Sequence, residues 1–196
     1  MKIAAGTGSV DVILRVIAGI ARGHKLKTPG GMSTRPTTDR VKESLFGILT
    51  PWIVDAEVLD LFAGTGSLGI EALSRGAEKA VFVDKSRVCC DIVRENLGHT
   101  KLADSAEVIP GEAQAVLNRL AGSGRSFDIV FLDPPYHRDI LPGILEALDR
   151  LSLVKQEGIV VTEHDAGDPL PEETGSLART DTRKYGDTVL SFYRRK

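Results

Sequence analysis

An α/β fold is predicted: a mostly parallel seven-stranded sheet with helices on both faces, ending in an antiparallel hairpin. Three observations predict it. Between Glu57 and Thr162 short apolar runs alternate with amphipathic stretches, the pattern of a parallel sheet covered on both faces. The first of these runs meets its helix in a glycine-rich turn, Gly64-Thr65-Gly66-Ser67-Leu68-Gly69. The last residues lose the helical pattern and read as two β-prone runs, Leu177 to Thr182 and Thr188 to Tyr193, around Lys184-Tyr185-Gly186-Asp187.

Taken in order, residues 1–13 carry no periodicity and read as a flexible start or an expression remnant. Leu14 to Lys27 reads as a small β-hairpin turning at Arg22-Gly23, and Thr28 to Pro36 as a Pro/Gly/Ser/Thr-rich loop. Thr37 or Thr38 then caps a helix whose apolar side is Val41, Leu45, Phe46, Ile48 and Leu49, with Pro51 ending it. Residues 14–50 thus form an N-terminal extension, and 51–196 the main domain. In that domain Val58 to Phe62 is the first strand, followed by a helix from Ser67 to Arg75. Ala80 to Val83 pairs with a helix from Ser86 to Leu97, and Val108-Ile109 with one from Glu112 to Leu120. Phe127 to Leu132 is strongly β-like and precedes a helix from Ile140 to Leu151; Gly158 to Thr162 is the fifth strand. There are no internal repeats.

A chain of 196 residues suffices for one well-buried domain. No run is long and apolar enough to span a bilayer, and the first residues lack the blocks of a signal peptide, so a cytoplasmic protein is expected. The two cysteines, Cys89 and Cys90, are adjacent and cannot staple distant parts of the fold, so they read as reduced, buried thiols. His24, His99, His137 and His164 are scattered without metal spacing, and no metal is expected. The net charge of −2 conceals an asymmetry. Arg15, Arg22, Lys25, Lys27, Arg35, Arg40 and Lys42 face the single acid Asp39, and Arg183, Lys184, Arg194, Arg195 and Lys196 close the chain. Two basic ends on a slightly acidic chain fit a polyanion partner, because phosphate contacts need local positive charge.

The glycine turn is where the backbone can approach a ligand closely. Gly64, Gly66 and Gly69 satisfy the dinucleotide pattern, and Asp84 ends the second strand, placed to accept hydrogen bonds from ribose hydroxyls. The glycines alone suggest NAD equally well. Asp60 shifts the balance: a carboxylate at the strand end would repel a pyrophosphate but would favour a cofactor carrying an ammonium and a sulfonium. Glu112, beyond the third strand, is a candidate acceptor for an adenine amino group or simply an acid at a helix start.

Asp133-Pro134-Pro135-Tyr136 follows the fourth strand directly, at the end where parallel sheets bind ligands. Two prolines rigidify the segment. The Asp133 carboxylate and the Pro134 carbonyl can then hold the hydrogens of one amino group, and Tyr136 offers a face for a base to stack on.

The series Asp60-Leu61-Phe62-Ala63-Gly64-Thr65-Gly66, Asp84, Asp133-Pro134-Pro135-Tyr136 resembles class I amino-methyltransferases of Rossmann-like fold. Arg15-Val16-Ile17-Ala18-Gly19 with Gly23-His24-Lys25-Leu26, then Thr34-Arg35-Pro36-Thr37-Thr38-Asp39-Arg40-Val41-Lys42-Glu43-Ser44-Leu45-Phe46, and Lys184-Tyr185-Gly186-Asp187-Thr188 resemble the RsmD family of small-subunit rRNA guanine-N2 methyltransferases. The likeness runs from Leu14 to the end. Glu112 stands where that family leads one to expect aspartate.

The resemblance implies S-adenosyl-L-methionine as cofactor, with Asp60, Phe62, Gly64 and Gly66 at its methionine end, Asp84 at its ribose and Glu112 near its adenine. It implies Asp133, Pro134 and Tyr136 around the target amine, and 16S ribosomal RNA, free or in a partly assembled small subunit, as partner. Arg22, Lys25, Arg35 and Arg40 are candidate RNA contacts, with Arg35, Thr37 and Arg40 bordering either cofactor or RNA. Three alternatives stand beside this reading: a DNA adenine-N6 or protein glutamine methyltransferase, an NAD-dependent oxidoreductase, and a non-catalytic RNA-binding assembly factor.

Overall fold

The computed structural model describes residues 14–29, 39–135, 139–168 and 170–196. Five parallel strands, β1 (Glu57–Leu61), β2 (Lys79–Asp84), β3 (Ala106–Pro110), β4 (Phe127–Leu132) and β5 (Val154–Asp165), are joined through helices. The antiparallel β6 (Glu173–Thr174), β7 (Leu177–Tyr185) and β8 (Thr188–Arg195) complete the sheet in the order β3-β2-β1-β4-β5-β8-β7-β6. Among the described residues it therefore has eight strands rather than seven, the addition being the two-residue β6. The order reverses between β1 and β4. At such a switch point neighbouring crossovers leave to opposite faces, and a crevice opens at the strands' carboxyl ends.

The helices are α1 (Asp39–Ile53), α2 (Ser67–Ser74), α3 (Arg87–Thr100), α4 (Ala113–Gly122) and α5 (Ile140–Arg150). Alternation along the strands splits the core into two layers. Val58, Ala80, Phe82, Ile129, Phe131, Ile159, Val161, Leu190 and Phe192 face α1, α2 and α3. Leu59, Leu61, Val81, Val83, Val130, Leu132 and Val160 face α4 and α5. Gly69 lets α2 lie close on the sheet, since a Cβ there would come within 2.3 Å of the Phe82 ring. No described helix is long and apolar enough to cross a membrane.

Two expectations need correction. Pro51 does not end α1, which continues through the proline to the buried Ile53. Proline lacks the N–H that would bond to the Gly47 carbonyl, so one bond is lost, but burial of Ile53 holds the last turn. The fifth strand begins at Val154 and not Gly158: a register shift, from Phe127↔Val154 to Ile129↔Ile159, carries the polar Lys155-Gln156-Glu157 along. The segment 14–27 folds back on itself as expected: Arg15 bridges Lys25, and Val16 N–H donates to the His24 carbonyl at 2.9 Å, Leu26 N–H to the Leu14 carbonyl at 2.8 Å and Gly23 N–H to the Val16 carbonyl at 2.8 Å. Other amides of the segment bond to helix side chains. Ile17 and Ala18 N–H donate to Glu71 at 2.8 and 2.9 Å, Ala21 N–H donates to Ser74 Oγ at 2.9 Å, and Lys27 N–H donates to Asn96 at 2.7 Å. Leu14, Val16, Ala21 and Leu26 join the same apolar cluster as α1 and the sheet.

Helix α1 fixes what stands over the crevice. Its C-terminal end runs into β1 through residues 54–56, so its first turn points toward the sheet's carboxyl edge. Ser44 accordingly hydrogen-bonds the Tyr185 hydroxyl, and Tyr185 sits at the β7–β8 turn, where Thr188 pairs with Asp165 at the end of β5. The Phe46 ring packs on Phe131 with centroids 5.8 Å apart.

Candidate active site

The site is assembled from four parallel strand ends in step. Leu61 is level with Val83 of β2 and Leu132 of β4, and Leu132 with Thr162 of β5. All their carboxyl ends therefore open along one edge, and the glycine turn, Asp84, Asp133 and Glu163 stand there together.

The turn leaves β1 by pairing with β2: Phe62 and Ala63 N–H both donate to the Val83 carbonyl at 2.9 Å. Phe62 is held at φ +82°, a costly conformation for a side-chain-bearing residue and a common feature of ligand sites. Gly64 (φ +55°) and Gly66 (φ +78°) take left-handed conformations but serve different ends. A Cβ on Gly64 would meet only the Phe62 carbonyl oxygen, 4.0 Å away, so this backbone is open to a ligand. One on Gly66 would press on Ile70 and Val93 at 3.2 Å, so that glycine serves packing.

Two acids hold the turn. Asp60 is buried, and its Oδ2 accepts the Gly69 N–H at 2.9 Å. Burial pushes its pKa up to about 7, against the lowering pull of the Gly69 bond, with the nearby Asp84 charge adding to the rise. Asp84 accepts from Gly64 N–H at 2.9 Å through Oδ2 and from Ser86 N–H at 2.8 Å through Oδ1. It thus ties the turn to the start of α3. A carboxylate oxygen has room for a second donor, so these bonds leave capacity for ribose hydroxyls. Glu112 caps α4 by position, makes no side-chain cap bond and is exposed beside the end of β3.

Asp133 is the residue after β4, followed by the buried Pro134 and exposed Pro135. Asp60 is level with Phe131, which is level with Val161, so strand alternation sets Asp60, Asp133 and Glu163 on the α1-covered face. Burial, then the charges of Glu163 and Asp60, hold the Asp133 carboxyl well above the usual range. A carboxylate so placed is a strong proton and hydrogen-bond acceptor. Tyr136, Arg35 and His137 lie outside the described residues, as do residues 1–13 and the capping threonines Thr37 and Thr38.

The candidate RNA contacts are spread. Arg40 is exposed in the first turn of α1, the end directed at the site edge. Lys25 is exposed opposite Arg15, whose guanidinium pairs with Asp39 at 2.9 Å. Arg22 lies in the turn docked on Ser74, at the end of α2 away from the glycine loop. The basic run itself needs correction. Lys42 is fully buried, donating to the Arg15 carbonyl and lying 3.4 Å from Glu71, and Lys27 pairs with Glu95 at 2.5 Å. Burial lowers the Lys42 pKa, and Glu71 opposes the fall.

Cys89 and Cys90 are buried free thiols. Trp52 is partly buried under the Arg194 guanidinium, 5.3 Å from its ring centre, and His24 meets His99 edge to face. No cluster of three or more metal-ligating side chains forms among the described residues. Glu163 and Asn96 escaped the sequence reading. An acid closing the apolar run Ile159-Val160-Val161-Thr162 was the available sign for Glu163, the same sign that marks Asp60 and Asp84. Asn96 sits in an ordinary helix and gave none.

The family described as Conserved hypothetical protein 95 matches residues 14–194. Ribosomal RNA small subunit methyltransferase D of Escherichia coli (strain K12) is 35% identical over 192 residues, covering 98% of this chain and 93% of its own length. The protein of the same name from Haemophilus influenzae is 39% identical over 158 residues, 80% of this chain and 81% of its own. A solved hypothetical protein of Thermus thermophilus superposes with a TM-score of 0.81 at 31% identity, over 93% of this chain and 99% of that one. At 14% identity, a protein solved with S-adenosylhomocysteine bound (TM-score 0.60, 75% of this chain and 48% of that one) shares the fold alone. By its match to the family pattern over residues 14–194 and its identity to these relatives, the chain belongs to the Conserved hypothetical protein 95 family, together with ribosomal RNA small subunit methyltransferase D.

Proposed function

We propose that this protein transfers a methyl group from S-adenosyl-L-methionine to the exocyclic N2 amine of a guanine in bacterial 16S ribosomal RNA. One observation carries the reading: the open glycine turn with Asp84, and the Asp133-Pro134 acceptor pair, stand at neighbouring strand ends on one edge of the sheet. The names of the relatives supply the RNA and the subunit.

The cofactor supplies an electrophilic methyl carbon on a sulfonium. The chain's own residues do the rest. Gly64 leaves room for close approach, Asp84 receives the ribose hydroxyls, and Phe62 and Glu112 border the methionine and adenine ends. A base amine is a poor nucleophile because its lone pair is delocalised into the ring. Asp133 and the Pro134 carbonyl hold its two hydrogens, turn the lone pair toward the methyl carbon, and exclude competing orientations. As nitrogen gains carbon it must lose a proton, and Asp133, raised by burial and by Glu163, takes it. Tyr136 would carry the stacked base.

Arg40 and Lys25, with Arg35 and Arg22 farther along the same N-terminal extension, receive phosphates of the RNA, free or in a partly assembled subunit in the cytoplasm. The test is mass mapping of modified nucleotides in small-subunit RNA from cells lacking the protein, with repair in vitro by the purified chain. Loss and restoration of one N2-methylguanine supports the reading. Full modification in the deletion strain, or methyl transfer only to DNA adenine or to a glutamine side chain, overturns it.

A further inference from the structure

One buried side chain joins the cofactor turn to the N-terminal segment. Asn96 of α3 is 2% exposed and its amide is fully engaged on main chain. Its Oδ1 accepts Lys27 N–H at 2.7 Å, while Nδ2 donates to the Lys27 carbonyl at 3.1 Å and to the Thr65 carbonyl at 2.9 Å. The amide thus grips both main-chain groups of one residue, as a neighbouring strand would, and with its remaining hydrogen grips the glycine loop. Thr65 lies between Gly64, which faces the open crevice, and Gly66, which packs on Val93 of the same helix. Lys27 belongs to the stretch that carries Lys25 and leads toward α1 and Arg40.

Two features make this more than local packing. The three groups Asn96 serves come from two segments far apart in sequence, and these are the ones expected to hold different ligands. The glycine loop is also held by Asp84 on Gly64, so Asp84 at the end of β2 and Asn96 on α3 grip consecutive residues. A ligand that pins Gly64 therefore also steadies the Thr65 carbonyl, and with it the bond network reaching Lys27.

We infer that Asn96 is a positioning residue that couples cofactor binding to RNA binding, by making the glycine loop and the Lys25–Lys27 segment one rigid unit. This rests on the methyltransferase reading above. Ordering either segment lowers the entropic cost of ordering the other, so each ligand should tighten the other by the same factor.

The experiment has two arms on the full-length protein. In the native chain, S-adenosylhomocysteine should slow deuterium exchange at the Lys27 amide, which donates to Asn96. It should also tighten binding of an RNA fragment that the enzyme methylates, by a factor on the order of 5–150. In Asn96→Ala that factor should fall to about one, with each ligand still bound; Asn96→Asp, which keeps the acceptor for Lys27 N–H but loses both donors, should behave alike. An unchanged coupling factor in folded variants, or a native protein whose Lys27 exchange and RNA affinity ignore the cofactor analogue, overturns the inference. Failure to methylate any ribosomal RNA would instead overturn the functional reading, so the two failures are told apart by native turnover.

Discussion

The Asp60 carboxylate accepts the Gly69 amide hydrogen at 2.9 Å, and so joins the end of the first strand to the first turn of the helix that follows the glycine loop. Burial raises this carboxyl to about 7, which makes the turn sensitive to proton concentration near neutrality. Below that value the free protein holds a neutral acid at the proposed methionine end, and binding a cation there must expel the proton. S-adenosylmethionine affinity should therefore fall as pH drops below about 7, by up to tenfold per pH unit. Asp60→Asn should bind the cofactor more weakly and flatten this dependence; calorimetry across the range checks both. The folding consequence has the opposite sense. The folded chain binds this proton more tightly than the unfolded one, so the group's contribution to stability declines as pH rises from the ordinary aspartate range to about 7.

Asp133→Ala should remove most turnover, a loss of roughly a hundredfold or more in kcat, as for other groups that stabilise developing charge. RNA affinity should stay within about threefold, because affinity for nucleic acid rests chiefly on phosphate contacts. Single-turnover kinetics and a filter-binding titration separate the two.

Glu163→Gln keeps the volume of a buried side chain while removing a negative charge beside Asp133. Burial remains the larger cause of the high Asp133 pKa, so the group should stay raised, but less so. If ionised Asp133 is needed, the acid limb of the kcat profile should move to lower pH by on the order of one unit. An unmoved limb would show that Glu163 does not set the protonation of the site.

Glu71 is buried and accepts hydrogen bonds from Ile17 N–H, Ala18 N–H and Arg75, close to the buried Lys42. Glu71→Ala strands a buried ammonium and two amides. Stability should fall by about 3–5 kcal/mol, read as a lower denaturation midpoint, with the N-terminal segment losing its protection from hydrogen exchange first.

Arg40→Ala should weaken RNA binding evenly across sequences and make the logarithmic salt slope shallower by about one, the signature of a lost phosphate contact. Arg22→Ala, on the turn far from the glycine loop, should change the slope less if the RNA stays near the site edge.

Much of this architecture is legible in the sequence because its causes are local. An apolar run bounded by polar residues has few ways to be other than a strand, and the acids closing β1 and β2 stand out against such runs. The two-residue turn of the last hairpin is written in Gly186, which takes φ +65°. What could not be read depends on contacts across the chain. Lys42 resembles any surface lysine until Glu71 is folded beneath it. The segment 14–27 has the composition of a hairpin and closes as one, but nothing in its sequence shows that its other amides bond Glu71, Ser74 and Asn96. Pro51 is a reliable helix stop only where the next turn buries nothing, and here it buries Ile53.

The far border of the sheet has its own consequence. β7 is covered by β6 only at Leu177 and Ala178, so most of its outer side offers open backbone groups that another chain could use as a template. The strand is made irregular by a register shift against β8 between Arg179 and Asp181, and it carries the charged Asp181, Arg183 and Lys184. Irregular geometry and charged side chains along an edge both oppose edge-to-edge stacking of identical molecules. Replacing these residues with a smooth, neutral strand would remove a guard on this edge against growth into fibres.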